Sequence, residues 1–258
     1  MTDTNLRDAR QFGQRDVSPD FTAKVFAGCG LDRNTTAASA LGDVFVAWSD
    51  CGVSAVRVAS DESAFEAWYR ERFARGCVPA VEIDPTALAA RARLRGEDVD
   101  VPVDLRDCSP FEQRVLRKAA EVIRGHARPY RWVARELGTP AATRAVGNAL
   151  GRNPVPLLIP CHRIIRTDCS TGGYVFGSDK KRKLLEGEGI DFDALESMAH
   201  SGFRYVGCGD CGVFCLPTCG NVATRLCASR PTYVGLRSAE EAHAHGLVPC
   251  DLCRPIAA

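Results

Sequence analysis

The residues best equipped for covalent chemistry are Cys161 and His162, set in Asn153-Pro154-Val155-Pro156-Leu157-Leu158-Ile159-Pro160-Cys161-His162-Arg163. A thiolate is a strong nucleophile, and an electropositive neighbourhood such as His162 and Arg163 favours it over the thiol. A carboxylate that orients the base completes an activated nucleophile, and Glu188 can supply one, although sequence does not place it beside His162. A second chemistry is written into the C-terminal cysteines. Cys215-x3-Cys219 and, thirty residues on, Cys250-x2-Cys253 form two chelating pairs. Four thiolates are a common ligand set for tetrahedral structural zinc. Cys208-x2-Cys211 is a competing pair, and disulfides are the alternative. The polar start of the chain lacks the apolar stretch of a secretory signal, so a reducing, cytoplasmic compartment is expected, where dense cysteines serve metals or chemistry. Cys29, Cys51, Cys77, Cys108 and Cys169 have no spacing partner and read as structural.

The elements that must position these groups follow from local patterns. Residues 1–35 are polar and read as a leader. Val44 to Trp48 and Val53 to Val58, joined by an Asp/Gly-containing turn, read as a hairpin. Ser63 to Arg75 is expected to be helical, with Phe65, Trp68, Tyr69 and Phe73 on one face. Val81 to Asp84 suggests a strand and Pro85 to Leu94 a short helix. Ser109-Pro110-Phe111-Glu112 is a capping box with proline at the first helical position, starting a helix to about Arg124. Two further helices, Tyr130 to Leu137 and Ala141 to Leu150, flank Gly138 and suggest a helix-turn-helix. The small residues Ala141, Ala142, Ala145, Gly147 and Ala149 allow either close approach to a DNA groove or tight packing on a neighbouring helix.

The chain has 258 residues, 45% hydrophobic and 25% charged, with a formal net charge of +1. That composition excludes a disordered chain, a collagen and a coiled coil, and no apolar run is long enough for a membrane span. The near-neutrality conceals a segregation. Residues 1–106 carry 13 basic and 17 acidic groups, residues 107–192 carry 15 and 9, and residues 193–258 carry 5 and 6. Between Arg114 and Arg166, eleven Arg or Lys face only Glu121 and Glu136. Such a local excess suits phosphate-backbone binding, and equally a solvated surface.

Pro160-Cys161-His162-Arg163 with Asn153-Pro154 resembles the active-site signature of the O6-alkylguanine-DNA alkyltransferases. Arg144-Ala145-Val146-Gly147, Tyr130, Gly172-Gly173-Tyr174 and Lys181 to Gly189 fit the same family in order. The resemblance implies irreversible, stoichiometric transfer of an alkyl group from guanine O6, with thymine O4 as a second candidate, in double-stranded DNA to Cys161. It implies that His162 takes the thiol proton through water, that Glu188 orients His162, that Asn153 braces the network and that Tyr130 supports the leaving guanine. Arg144 would replace the extruded base, with Ala145, Gly147 and Arg152 against DNA and with Leu150, Ile164, Tyr174 and Val175 forming the pocket. Pro129 stands where many relatives carry a hydroxyl side chain. Neither an organic cofactor nor a membrane is implied, and a monomer is expected.

Phe214 to Cys219, Arg237 to Ala242 and Pro249 to Pro255 resemble the zinc module of the bacterial adaptive-response Ada proteins, placed here after rather than before the alkyltransferase segment. The resemblance implies structural zinc on Cys215, Cys219, Cys250 and Cys253. It also raises Cys215 as an acceptor of methyl from DNA phosphotriesters, although Leu216 stands where that family usually has Arg. The expected architecture is α/β: a strand-rich α/β domain at 36–106, a helical, winged-helix-like domain at 107–192, and a zinc-bound module at 200–258. The rival functions are a lesion-binding protein with an inert Cys161 and a Cys-His-Glu hydrolase that turns over.

Overall fold

The computed structural model describes residues 31–80, 84–219 and 233–256, and the fold is mixed α/β. The expected hairpin is present as β2 (Gly42–Ser49) and β3 (Gly52–Arg57). Along β2, Val44, Val46 and Trp48 face one core, while Phe45 and Ala47 face another. This is the period-2 alternation of a strand covered on both sides.

The hairpin belongs to a four-stranded sheet, β3-β2-β1-β4, which includes two strands not expected from sequence. Strand β1 (Asp32–Ser39) pairs antiparallel with β2 and begins inside the segment read as a polar leader. Two of its three buried positions, Asp32 and Asn34, are polar and bond to distant partners. Tyr69 and Arg75 donate to Asp32, and Asn34 donates to the Cys77 sulfur at 3.7 Å. Local hydropathy cannot reveal such a strand. The remaining leader residues, 1–30, lie outside the described residues. Strand β4 (Cys77–Pro79) runs parallel to β1. Of the strand expected at 81–84, residues 81–83 lie outside the described residues, and Asp84 is instead a helix N-cap.

Helix α1 (Glu62–Phe73) lays Phe65, Tyr69 and Phe73 on one face of the sheet, and α2 (Pro85–Leu94) lays Ala87, Ala90 and Leu94 toward the other. Gly52, at φ +130°, turns the hairpin where a Cβ would lie 2.4 Å from the Pro102 carbonyl oxygen.

Helix α3 (Pro110–Ala120) starts with both halves of the capping box formed. It stops four residues short of the expected Arg124, because the chain turns to bury Val122 and reverses at Gly125, φ +78°. Strand β5 (Arg128–Pro129) leads into α4 (Tyr130–Glu136), and a 3-10 turn at Pro140–Ala142 precedes α5 (Thr143–Gly151). Pro129 occupies the N-cap of α4 without a side-chain cap, the physical consequence of lacking a hydroxyl there. Cys161–Arg163 form a single 3-10 turn leading into β6 (Ile164–Ile165), which pairs parallel with β5. Helices α6 (Ser178–Gly187) and α7 (Phe192–His200) follow.

The C-terminal segment is more than a metal loop. Strands β7 (Tyr205–Cys208), β8 (Val213–Cys215), β9 (Tyr233–Leu236) and β10 (Val248–Pro249) form a sheet ordered β10-β8-β7-β9, with helix α8 (Ala239–Ala244). Phe214, Leu236, Ala242 and Leu247 make a small core of its own. The module docks on the β5–α4 region. Ala127 N–H donates to Thr218 O at 3.1 Å, and Thr218 Oγ1 donates to Ala127 O at 2.7 Å. Arg128 donates to Leu252 O at 3.1 Å, and Arg254 pairs with Glu136 at 2.7 Å. Among the described residues, no helix is long and apolar enough to cross a membrane.

Candidate active site

The proline-fenced segment before Cys161 is immobilised from both ends. Asn153 caps it, its Oδ1 accepting from Val155 N–H at 3.1 Å. Asn153 Nδ2 reaches Ile159 O at 3.0 Å and the Cys161 sulfur at 3.1 Å. Val56 N–H donates to Pro154 O at 2.8 Å, tying the N-terminal sheet to the same segment. Cys161 is 4% exposed and His162 3% exposed, so the nucleophile and its neighbour are both buried.

Glu188, at the C-cap of α6, meets His162 as the sequence order suggested. His162 Nε2 and Glu188 Oε1 are 3.1 Å apart. Arg163 has a different role from that expected of it. Rather than lending charge to Cys161, its guanidinium grips Glu188 through Nε at 2.9 Å and Nη2 at 2.8 Å, with Nη1 donating to Val122 O at 2.7 Å. Burial disfavours the Glu188 carboxylate, but the hydrogen bonds from His162 and Arg163 win and hold its pKa down to about 2. Burial lowers the His162 pKa against the pull of Glu188, which keeps the ring neutral near pH 7. With Nε2 turned to Glu188, the buried Nδ1 has no protein partner among the described residues.

The positive charge that acts on Cys161 comes from Lys181, a residue that sequence reasoning did not place in the site. It sits in the basic run Lys180-Lys181-Arg182-Lys183, which reads as a solvated helix face, yet its exposure is 0%. Its Nζ donates to Ile164 O at 2.5 Å, Gly173 O at 3.1 Å and Tyr130 Oη at 3.3 Å. Burial pulls its pKa down to about 8, leaving it mostly charged at pH 7. At Cys161, burial dominates and raises the thiol pKa, while Asn153 and Lys181 oppose that rise. The resting sulfur is therefore a thiol that must lose its proton as it reacts.

Cys161 lies in the floor of a cleft of about 700 Å³. Tyr130, Arg144, Gly147, Leu150, Tyr174 and Val175 all line it. Tyr130 is fixed by donating to Gly173 O at 3.3 Å and by close contact with Gly172, where a Cβ would lie 3.1 Å from its hydroxyl. Arg144 and Ala145 are exposed on α5 at the rim.

Two expected site residues fall elsewhere. Ile164 is fully buried in β6 and reaches the site only through its carbonyl bond to Lys181, so it does not line the cleft. Arg152 lines a neighbouring cleft and pairs with Glu112 at 3.3 Å, because its position at the C-cap of α5 turns it back toward α3.

At the second centre, the ligand atoms of Cys215, Cys219, Cys250 and Cys253 all lie within 4.8 Å of one another and are buried. Tetrahedral zinc with bonds of about 2.3 Å sets its sulfurs about 3.8 Å apart, so the donor set and spacing fit. Leu216 N–H points at the Cys253 sulfur at 3.3 Å, a bond that favours thiolate. Cys208 and Cys211 stand apart from this cluster and interact with each other, Cys211 N–H donating to the Cys208 sulfur at 3.2 Å. They are not part of the four-sulfur group.

Residues 110–190 match the family described as 6-O-methylguanine DNA methyltransferase, DNA binding domain. Over 154 residues, 58% of the chain, it is 33% identical to the methylated-DNA–protein-cysteine methyltransferase of Methanothermobacter thermautotrophicus, covering 82% of that protein. Over 189 residues, 69% of the chain, it is 29% identical to the bifunctional transcriptional activator/DNA repair enzyme Ada of Escherichia coli, covering 52% of it. The solved structure of Mycobacterium tuberculosis OGT in complex with DNA is similar at 29% identity, covering 60% of this chain and 92% of that one, with a TM-score of 0.46.

Proposed function

The chain belongs to the methylated-DNA–protein-cysteine methyltransferases, and from that premise we propose that Cys161 is the alkyl acceptor and that O6-alkylguanine in duplex DNA is its substrate. The observation that carries this reading is the placing of two buried pairs, Asn153–Cys161 and His162–Glu188, on one short turn, with Cys161 lining the Tyr130–Arg144 cleft. The Cys161 sulfur attacks the alkyl carbon, an S–C bond forms and the C–O6 bond breaks. The thiol proton passes through water to His162 Nδ1, the ring nitrogen left free by Glu188. Guanine departs as a neutral base after taking a proton relayed by Tyr130, which Lys181 can resupply from its ammonium. The product thioether has no hydrolysable bond, so each chain acts once.

Reaching the base in a duplex requires extruding it, at about a few kcal/mol. Arg144 fills the vacated place, and the small Ala145 and Gly147 let α5 enter the minor groove, where readout is degenerate and any sequence context serves. Helices α4 and α5 act as the helix-turn-helix of a winged-helix-like domain spanning 107–192, between an N-terminal α/β domain and the zinc module at 200–258. The protein works as a monomer in the cytoplasm. Cys215, Cys219, Cys250 and Cys253 would hold zinc, which would offset the charge of their thiolates and stabilise the module. Methyl acceptance at Cys215 rests on the Ada resemblance alone, since Cys215 and Cys250 are similarly buried.

Transfer of labelled methyl from O6-methylguanine duplex tests the reading. One methyl per chain, lost in Cys161→Ala, is expected. Repeated turnover would instead identify a hydrolase, and binding without transfer a lesion-recognition protein.

A further inference from the structure

Most arginines of the described residues are neutralised or hydrogen-bonded: Arg75 by Asp32 and Asp107, Arg163 by Glu188, Arg182 by Glu186 and Arg254 by Glu136. Arg131, Arg135, Arg144, Arg166 and Arg204 differ. Among the described residues, none has a carboxylate within 4.0 Å, and none of their side chains donates a hydrogen bond. Arg57, Arg70, Arg72 and Arg237 also make no ion pair or side-chain hydrogen bond among the described residues, and three of them lie over the rings of Trp68, Phe73 and Phe203. The first five are set apart by sharing two adjoining clefts. Arg144 and Arg166 line the Cys161 cleft, and Arg166 also lines a second groove with Arg131, Arg135 and Arg204. Arg166 is therefore the joint of one continuous strip.

The second groove is built by two parts of the chain. Arg131 and Arg135 stand four residues apart on α4, hence on one helix face. The facing wall comes from the C-terminal module and its connector: Phe203, Arg204, Tyr205, Leu216 and Pro217. Arg204 is pinned there by its N–H bond to Leu236 O at 2.8 Å. The Thr218–Ala127 pair and the Arg254–Glu136 bridge hold the two walls together. Arg166 and Arg204 are exposed and Arg131 and Arg135 half-buried, so the strip presents anions with a positive field that salt screens and that Asp168, near Arg166, only partly offsets.

We propose that the docked C-terminal module completes a phosphate-binding strip, and that Arg131, Arg135, Arg166 and Arg204 hold the sugar-phosphate backbone of the DNA strand flanking the nucleotide drawn into the Cys161 cleft. The proposal rests on the repair reading and adds to it a role for the module: it extends the DNA footprint by direct contact.

The test compares the wild-type full-length, zinc-loaded protein with Arg135→Ala/Arg204→Ala. Binding to an O6-methylguanine duplex is followed by fluorescence anisotropy across salt concentrations, and Cys161 alkylation is followed with free O6-benzylguanine, which has no phosphates. Each lost phosphate contact lowers the slope of log K against log salt by about 0.9, so the double variant should show a slope about 1.8 smaller. Its alkylation by the free base should match wild type, and Arg135→Lys/Arg204→Lys should restore the slope. An unchanged slope in the alanine variant, with wild-type transfer intact, overturns the proposal. Failure of the wild type to accept alkyl from either substrate overturns the repair reading and this proposal with it.

Discussion

Replacing Glu188 by Gln should expose how much the buried network contributes and in which pH range. The carboxylate is held at about 2 against an ordinary 4.5, and its side chain is 10% exposed, so solvent screens the interaction little. A pKa unit corresponds to about 1.4 kcal/mol, so the depression is worth about 3 kcal/mol of folding stability. Because the folded pKa lies below the unfolded one, this contribution is complete above about pH 4.5 and fades as pH falls toward 2. Glu188→Gln removes it and leaves the Arg163 guanidinium buried against Val122 O, so a loss of about 3 kcal/mol at pH 7 agrees with the usual cost of breaking a buried pair. Urea denaturation of both proteins at several pH values measures this directly. The gap between them should be about 3 kcal/mol at pH 7 and should shrink below about 1 kcal/mol by pH 2. A gap that is small at pH 7, or that keeps its size down to pH 2, would refute the assignment of Glu188 as the charged hub of the site.

Other consequences can be checked alongside. Lys181→Met should raise the pH at which iodoacetamide alkylates Cys161, because the ammonium favours the thiolate; peptide mapping reads the midpoint, and an unmoved or lowered value contradicts that role. Gly172→Ala should cost about 1–2 kcal/mol in thermal stability from its left-handed backbone, φ +70°. It should also slow methyl transfer, because the new Cβ pushes on the Tyr130 hydroxyl; transfer at the wild-type rate would show that Tyr130 is not held there. Metal analysis should find one zinc per chain, lost in Cys219→Ser and retained in Cys208→Ser; the reverse pattern would reassign the ligands. Gly52→Ala should destabilise the N-terminal sheet by about 1–3 kcal/mol in chemical denaturation, given the 2.4 Å approach to Pro102 O.

What could be read in the sequence was local or motif-bound. Ser109 and Glu112 announce a helix start, and both bonds of the box form. The Pro85 helix and the hairpin around Gly52 likewise follow from neighbouring residues. Strand β1 was hidden because Asp32 and Asn34 are buried on the strength of Tyr69, Arg75 and Cys77, which lie 37 to 43 residues away. Lys181 was hidden for the opposite reason: three flanking cations disguise a side chain whose partners are the carbonyls of Ile164 in β6 and of Gly173. Arg163 sits beside Cys161 in sequence, yet its guanidinium turns to Glu188, so adjacency misassigned its charge. The docking of the cysteine module rests on the Ala127–Thr218 pairing and on Arg128 and Arg254, whose partners lie far away in the chain, so no local pattern encodes it.

The central claim is that Cys161 receives the alkyl group once and keeps it. Incubating the protein with excess O6-methylguanine duplex and mapping its peptides by mass spectrometry tests this most directly. A single methyl on the peptide carrying Cys161, saturating at one per chain with guanine restored in the DNA, is the result expected. Restored guanine with an unmodified Cys161, or methyl accumulating on another residue, would contradict the account.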